Sequence, residues 1–330
     1  MTMLDDILTL PDQLRWGIGL DAQPIRSSGP IVILGMGGSA MAASVATLSA
    51  SPRAPIVVHR GYGLPTWAAD SGAAVIAVSY SGNTEEVLSG VDAAISDRLP
   101  LAAVASGGRL GEIARERALP YVEVPDGIQP RAAVGYQAAA VAATLGAAGQ
   151  VVDVDRDLDE AATVLESLLD KGRGGAVVLG RDIADGLAGR TAVIYGGKGI
   201  GATAAYRWKT QINENAKSPA FSGTIPEMNH NELEGWRPGV SQGFGVIYLR
   251  DEADHPAISR RLDLTGTVLS GAVRRIGEAR SVGTGPLARF FSLAVVGDVA
   301  SVAMAEQAGI DSTEVETLEE FKVMLAKGTS

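Results

Sequence analysis

The sequence predicts an α/β protein built as two doubly wound parallel sheets in tandem halves. Three observations carry that reading. Short apolar runs alternate with helical stretches along most of the 330 residues, the pattern of strands covered on both faces. One such run in each half ends in a glycine turn that opens a helix. Ala and Gly are abundant, and small residues let helices approach a sheet closely.

A short amphipathic start precedes the first strand, 31–34, which ends in Gly35-Met36-Gly37-Gly38-Ser39 and an Ala-rich helix. Further strands are expected at 56–59, 74–79, 101–105 and 121–124, with helices between most of them. The stretch 153–169 is charged with helical period and reads as a connecting helix. Lys171-Gly172-Arg173-Gly174-Gly175 then marks a linker end. The expected division is therefore 1–152, with a leading helix, and 153–330, with the connecting helix and a C-terminal helix. In the second half, 192–195 leads into Gly196-Gly197-Lys198-Gly199, another strand is expected at 245–249, and helices fill much of 290–308 and 312–326. Strand–glycine–helix openings in both halves point to an internal duplication, with no short-period repeat.

Composition narrows the function. Hydrophobic residues at 46% and charged residues at 20% fit buried cores and exclude a disordered chain. The net charge of −10 with no basic cluster speaks against nucleic acid and anionic membrane as partners. A small anion remains possible, since helix N-termini, hydroxyls and one or two fixed cations can hold it. The absence of Cys excludes disulfides, thiolate metal sites and a Cys nucleophile. Three His (His59, His230, His255) without HExxH spacing disfavour zinc, while acidic residues leave magnesium open. The acidic first residues are unlike a signal peptide. The apolar stretch 138–149 is too short to cross a membrane, so the expected location is cytoplasmic.

Ser79-Tyr80-Ser81-Gly82-Asn83-Thr84-Glu85-Glu86 follows a strand and opens a helix. Hydroxyls beside free helix N–H groups make a phosphate cradle, and Gly82 lets the backbone wrap a ligand. A capping box, with Ser81 or Asn83 as cap, fits the same residues. The two readings are compatible. The GMGGS turn lacks the third glycine of a dinucleotide fingerprint, and His59-Arg60 stand where an acidic residue would follow. A nicotinamide cofactor is disfavoured; a turn that approaches a sugar fits better. The densest polar segment runs from Arg207 to Phe221 and again from Pro226 to Glu232. By polarity alone it reads as an exposed helix and loop, with Arg131 and Glu214 as ion-pair formers and His230 as a structural histidine.

Together, GMGGSA, SYSGNTEEVL, PRAAVGY, RWKTQINENAKSPAF and PEMNHNELEGW resemble the bifunctional phosphoglucose/phosphomannose isomerases. That family belongs to the phosphoglucose isomerase superfamily and is built from two SIS (sugar isomerase) domains of flavodoxin-like fold. The resemblance runs in order from Gly35 to Trp236 and more faintly to the C-terminal helix. It implies an aldose–ketose isomerase, needing no cofactor and no metal, that interconverts glucose 6-phosphate and fructose 6-phosphate, and mannose 6-phosphate as well. It implies that Ser79, Ser81 and Thr84 hold the 6-phosphate and that Gly38 and Ser39 lie at the sugar. Arg131 would stabilise the enediolate, and Glu214 would carry the proton between carbons 1 and 2. His230, donated across a homodimer interface, and Lys322 would open the ring. A Thr proposed to help accept mannose 6-phosphate lies two helical turns before the lysine; this chain has Val315 there, with Thr313 and Thr317 nearby. Two other readings keep the cradle: an isomerase of another phosphosugar, such as an amino sugar or pentose, and a non-catalytic sugar-phosphate-binding protein, which would need neither Glu214 nor His230.

Overall fold

The fold comes from a computed structural model, which describes residues 2–26, 29–51, 54–239 and 241–328. Two short helices, α1 (Met3–Leu8) and α2 (Leu10–Trp16), lead into the first sheet. Its elements follow as β1 (Ile31–Leu34), α3 (Gly37–Thr47), β2 (Ile56–His59), β3 (Ala74–Val78), α4 (Glu85–Ser96), β4 (Leu101–Ala105), α5 (Gly108–Glu116), β5 (Tyr121–Glu123) and α6 (Val134–Ala147). All five strands are parallel, in the order β2-β1-β3-β4-β5. Every residue of β1, β3 and β4 is buried, as expected for apolar runs with helices on both faces.

Helix α7 (Val154–Leu169) crosses to the second half, which holds α8 (Gly175–Leu187), β6 (Thr191–Gly197), α9 (Ile200–Asn215), β7 (Ala220–Ile225), β8 (Phe244–Arg250), α10 (Pro256–Leu269), β9 (Arg274–Arg280), α11 (Pro286–Ala308) and α12 (Glu316–Gly328). Its four strands are again parallel, in the order β7-β6-β8-β9. Both sheets thus have their first strand inside and their second at the edge. Each chain reversal leaves a crevice at the C-terminal ends of the inner strands, where ligands of such sheets bind.

Two findings differ from the sequence reading. Strands β7 and β9 fall on the edges of the second sheet, and neither has the apolar run that marks the inner strands. The segment read as an exposed helix proves largely internal: Arg207, Trp208, Gln211, Ile212 and Asn215 of α9 are all buried. Trp208 donates its indole N–H to the Leu293 carbonyl of α11 at 2.9 Å. Among the described residues, helix α11, rather than 138–149, is the apolar helix long enough to cross a membrane, but 89% of its most apolar stretch is buried within the fold. It packs against α7, α8 and α9, which is the environment of a core helix.

Candidate active site

The crevice of the first sheet is built from two loops. After β1 the chain turns through Gly35 and Met36 directly into α3. After β3 it runs through Ser79–Thr84 into α4. The capping-box reading fails here. Thr84 is the N-cap, yet its side chain makes no capping bond; its hydroxyl pairs with that of Ser79 at 2.8 Å. Ser81 Oγ accepts from the Asn83 N–H at 3.3 Å. Asn83 Oδ1 caps α5 instead, accepting from the Arg109 N–H at 3.0 Å. Among the described residues, no group accepts from the N–H of Glu85, Glu86 or Val87. The first turn of α4 therefore leaves these donors open, an arrangement that can receive an anion.

Gly82 makes this loop possible. Its φ is +70°, and a Cβ there would sit 1.9 Å from the Gly107 carbonyl oxygen. Ser106 ties the same region down, its hydroxyl donating to the Tyr80 carbonyl at 2.6 Å. Ser39 links the two loops: its hydroxyl accepts from the Tyr80 N–H at 3.1 Å and donates to Gln137 Oε1 at 2.7 Å. That hydroxyl is buried and spent on internal bonds. Gly38 faces the next wall, with space for a Cβ limited to 3.1 Å from the Pro130 carbonyl oxygen.

Arg131 follows Pro130 at the turn before α6. Three successive carbonyls pin this turn. Pro130 accepts from Gln137 Nε2 at 3.0 Å, Arg131 from Arg207 Nη2 at 3.2 Å, and Ala132 from Gln13 Nε2 at 3.0 Å. The Arg131 side chain is 5% exposed, and its Nη1 lies 3.8 Å from Glu214 Oε2. Glu214 sits one residue before the end of α9, so the pair joins the two halves. Burial pushes the Glu214 carboxyl above its usual range, against the pull of Arg131, Arg207 and Lys217. Burial also lowers the Arg131 pKa, with Glu214 opposing.

Glu214 lines an apolar-walled cavity of about 900 Å³ together with Lys217, Phe221, Val315 and Thr317. The 311–314 connection forms one wall. Lys217 Nζ donates to the Asp311 and Glu314 carbonyls at 2.9 and 2.7 Å, and to that of Glu214 at 2.9 Å. Arg131 Nη2 donates to the Ser312 carbonyl at 2.7 Å and the Thr313 carbonyl at 3.2 Å. Two cations thus hold four consecutive carbonyls.

Not every expected residue joins this constellation. Lys322 lies exposed on α12 and pairs with Glu319 at 2.9 Å. His230 ends a 3₁₀ turn, Glu227–His230, and is exposed, with no side-chain hydrogen bond among the described residues. Among those residues, no group of three His, Asp or Glu is placed to hold a metal.

The second sheet has its own crevice, lined by Lys198, Asp251, Asp254, His255 and Arg289. Asp251 follows β8 as Ser79 follows β3, and it is bound to Arg289 at 2.5 Å. Carboxylates there replace the hydroxyls that would receive an anion.

Several site residues escape the sequence reading: Gln13, Gln137, Arg207, Asn215 and Asp298. The sequence carries a signal for three of them, Arg207, Asn215 and Asp298. Arg207, Gln211 and Asn215 repeat at four-residue spacing beside Trp208 and Ile212, and Asp298 is the single charge in the apolar stretch 290–305 of α11. Buried charges need partners, and Arg207 Nη2 does meet Asp298 Oδ2 at 2.7 Å.

Two parallel sheets, a hydroxyl cradle at one switch point and a carboxylate–guanidinium pair at their junction define a tandem SIS-domain protein. The family description "Bacterial phospho-glucose isomerase C-terminal SIS domain" matches residues 178–325. A bifunctional phosphoglucose/phosphomannose isomerase of Caldicellulosiruptor bescii is 33% identical, covering 98% of this chain and 99% of its own. One from Aquifex aeolicus is 36% identical over 96% of each. The chain belongs to the bifunctional phosphoglucose/phosphomannose isomerase family. A solved structure of a hypothetical protein from Thermus thermophilus shares the fold at a TM-score of 0.74 and 16% identity, covering 99% of this chain and 90% of that one.

Proposed function

We propose that this chain interconverts glucose 6-phosphate and fructose 6-phosphate, and mannose 6-phosphate and fructose 6-phosphate, through a cis-enediol. The observation that carries the reading is Glu214 beside Arg131 at the junction of the two halves. Aldose–ketose conversion moves one proton between carbons 1 and 2. The cis-enediol presents both carbons to one side, so a single carboxylate removes and returns it. A base whose pKa is raised toward the working pH takes up the proton more readily than an ordinary carboxylate, and such catalysis contributes roughly 10²–10⁴ in rate. Charge on the enediolate oxygens develops only in the transition state, where Arg131 Nη1 stabilises it.

Ser79, Ser81, Thr84 and the open turn of α4 hold the 6-phosphate in this reading. Gly38 lets the sugar approach, and Ser39 acts by fastening the two loops together. Ring opening needs a proton taken from the carbon 1 hydroxyl and one delivered to the ring oxygen. We assign these to His230 and Lys322. Both are exposed in the single chain, which fits a homodimer in which His230 is supplied by the second copy. We further read residues 1–152 and 153–330 as the two SIS domains and the location as cytoplasmic.

The test is a coupled assay. Purified, EDTA-treated full-length protein receives fructose 6-phosphate, and glucose 6-phosphate and mannose 6-phosphate are followed separately. Both products are expected. Glucose 6-phosphate alone would remove the mannose activity and implicate Val315. Neither product from folded dimer would overturn the proposal in favour of another phosphosugar or a binding protein.

A further inference from the structure

The three pinned carbonyls fix where the Arg131 side chain leaves the backbone. They do not fix where its guanidinium points. That is set by the Ser312 and Thr313 carbonyls on Nη2 and, at Nε, by Asn215, which is wholly buried. Its Oδ1 accepts from Arg131 Nε at 2.7 Å, and its Nδ2 donates to Ser301 Oγ at 2.9 Å. Ser301 in turn donates to the Asp298 carbonyl at 2.7 Å. The Asp298 carboxylate holds Arg207, and Arg207 returns to the Arg131 carbonyl. The ring Arg131–Asn215–Ser301–Asp298–Arg207 closes on itself, and every member is buried. With Nε on Asn215 and Nη2 on the Ser312 and Thr313 carbonyls, Nη1 is the nitrogen turned toward Glu214. A longer contact from Nη1 to Gln129 Oε1, at 3.4 Å, leaves it room for a substrate oxygen.

We infer that Asn215 is a positioning residue for the isomerisation, aiming Nη1 of Arg131 at the space beside Glu214. The inference rests on the enediolate chemistry proposed above. The phosphate is held elsewhere, on the cradle of the first sheet, so misdirecting Arg131 leaves ground-state binding intact. It weakens only the interaction made as charge develops. Sequence polarity hides this residue, because an asparagine beside a glutamate reads as surface.

The experiment compares wild type with Asn215→Ala and Ser301→Ala, each as folded full-length enzyme. It measures kcat and KM for fructose 6-phosphate, and the affinity of phosphorylated arabinonohydroxamate, whose planar group mimics the enediolate. For Asn215→Ala, kcat should fall about 10²-fold, the scale of a misplaced catalytic group. Hydroxamate affinity should fall by a similar factor, with KM within about twofold. Ser301→Ala keeps Asn215 but frees its far end, so the same pattern should appear in smaller measure. A purely structural role would lower thermal stability or the active fraction without moving kcat per active site and inhibitor affinity together. Folded variants with unchanged kcat, or with loss confined to KM, would overturn the inference. If Asn215→Ala does not fold, Ser301→Ala decides by the same criteria. A wild type without isomerase turnover would instead overturn the proposed function, and the inference with it.

Discussion

Arg131 Nη1 and Glu214 Oε2 stand 3.8 Å apart, one from the turn before α6 and the other from the end of α9. The distance exceeds a hydrogen bond, yet it keeps the charges close enough to feel each other. A tight pair would bury the carboxylate under its partner and lower its basicity. Here burial prevails and the Glu214 pKa stays raised, as the proposed proton carrier requires.

The cradle makes a separable prediction. Ser79 and Thr84 share one hydrogen bond and face the open turn of α4. Replacing either by Ala should raise KM for fructose 6-phosphate by roughly 10- to 100-fold, the worth of one hydrogen bond to a charged group. The double variant should lose less than the sum, since each hydroxyl orients the other. Steady-state kinetics of the three variants checks this.

Gly82 tests the loop itself. An alanine there would have to adopt φ near +70° and find its Cβ 1.9 Å from the Gly107 oxygen. Gly82→Ala should destabilise the protein by about 1–3 kcal/mol through strain at that position, and raise KM as the cradle opens. Urea unfolding and KM report the two effects.

These two predictions concern a strand–loop–helix junction, between β3 and α4, that the sequence reading placed. The inner strands β1, β3 and β4 and helix α7 announce themselves through apolar runs and helical period, and the 79–84 loop stands out by its clustered hydroxyls. The misses have a common cause. Strand β9 reads RRIGEAR and strand β7 reads AFSGTI. Both are edge strands with half-exposed faces, so neither needs the apolar run that marks a central strand. In the same way Arg207 and Asn215 look like surface residues because composition is blind to which face of α9 turns inward. Their four-residue spacing marks one face, and tertiary packing supplies the buried partners: Asp298 for Arg207, and Arg131 and Ser301 for Asn215.

The pH profile follows from the direction of the Glu214 shift. The base must be ionised, so kcat falls as pH drops through its pKa. Because burial raises that pKa, the acid limb should lie above the ordinary carboxylate range. Lys217 lowers it electrostatically, so Lys217→Met should move the limb to higher pH. An unmoved limb would contradict the role given to Lys217. Stability has a matching sign. A raised acid binds its proton more tightly when folded, so wild type should lose stability as pH rises from the unfolded carboxylate range to the folded value. Glu214→Gln should not show that loss, as melting temperatures across the window would reveal.

The most direct measurement is turnover of Glu214→Gln on fructose 6-phosphate, with hydroxamate binding measured on the same protein. The substitution keeps size and polarity and removes the base. If Glu214 carries the proton, the variant should still bind the inhibitor while turnover falls by about 10³-fold or more, toward the upper range for general base catalysis. Turnover within a few fold of wild type would contradict the mechanism.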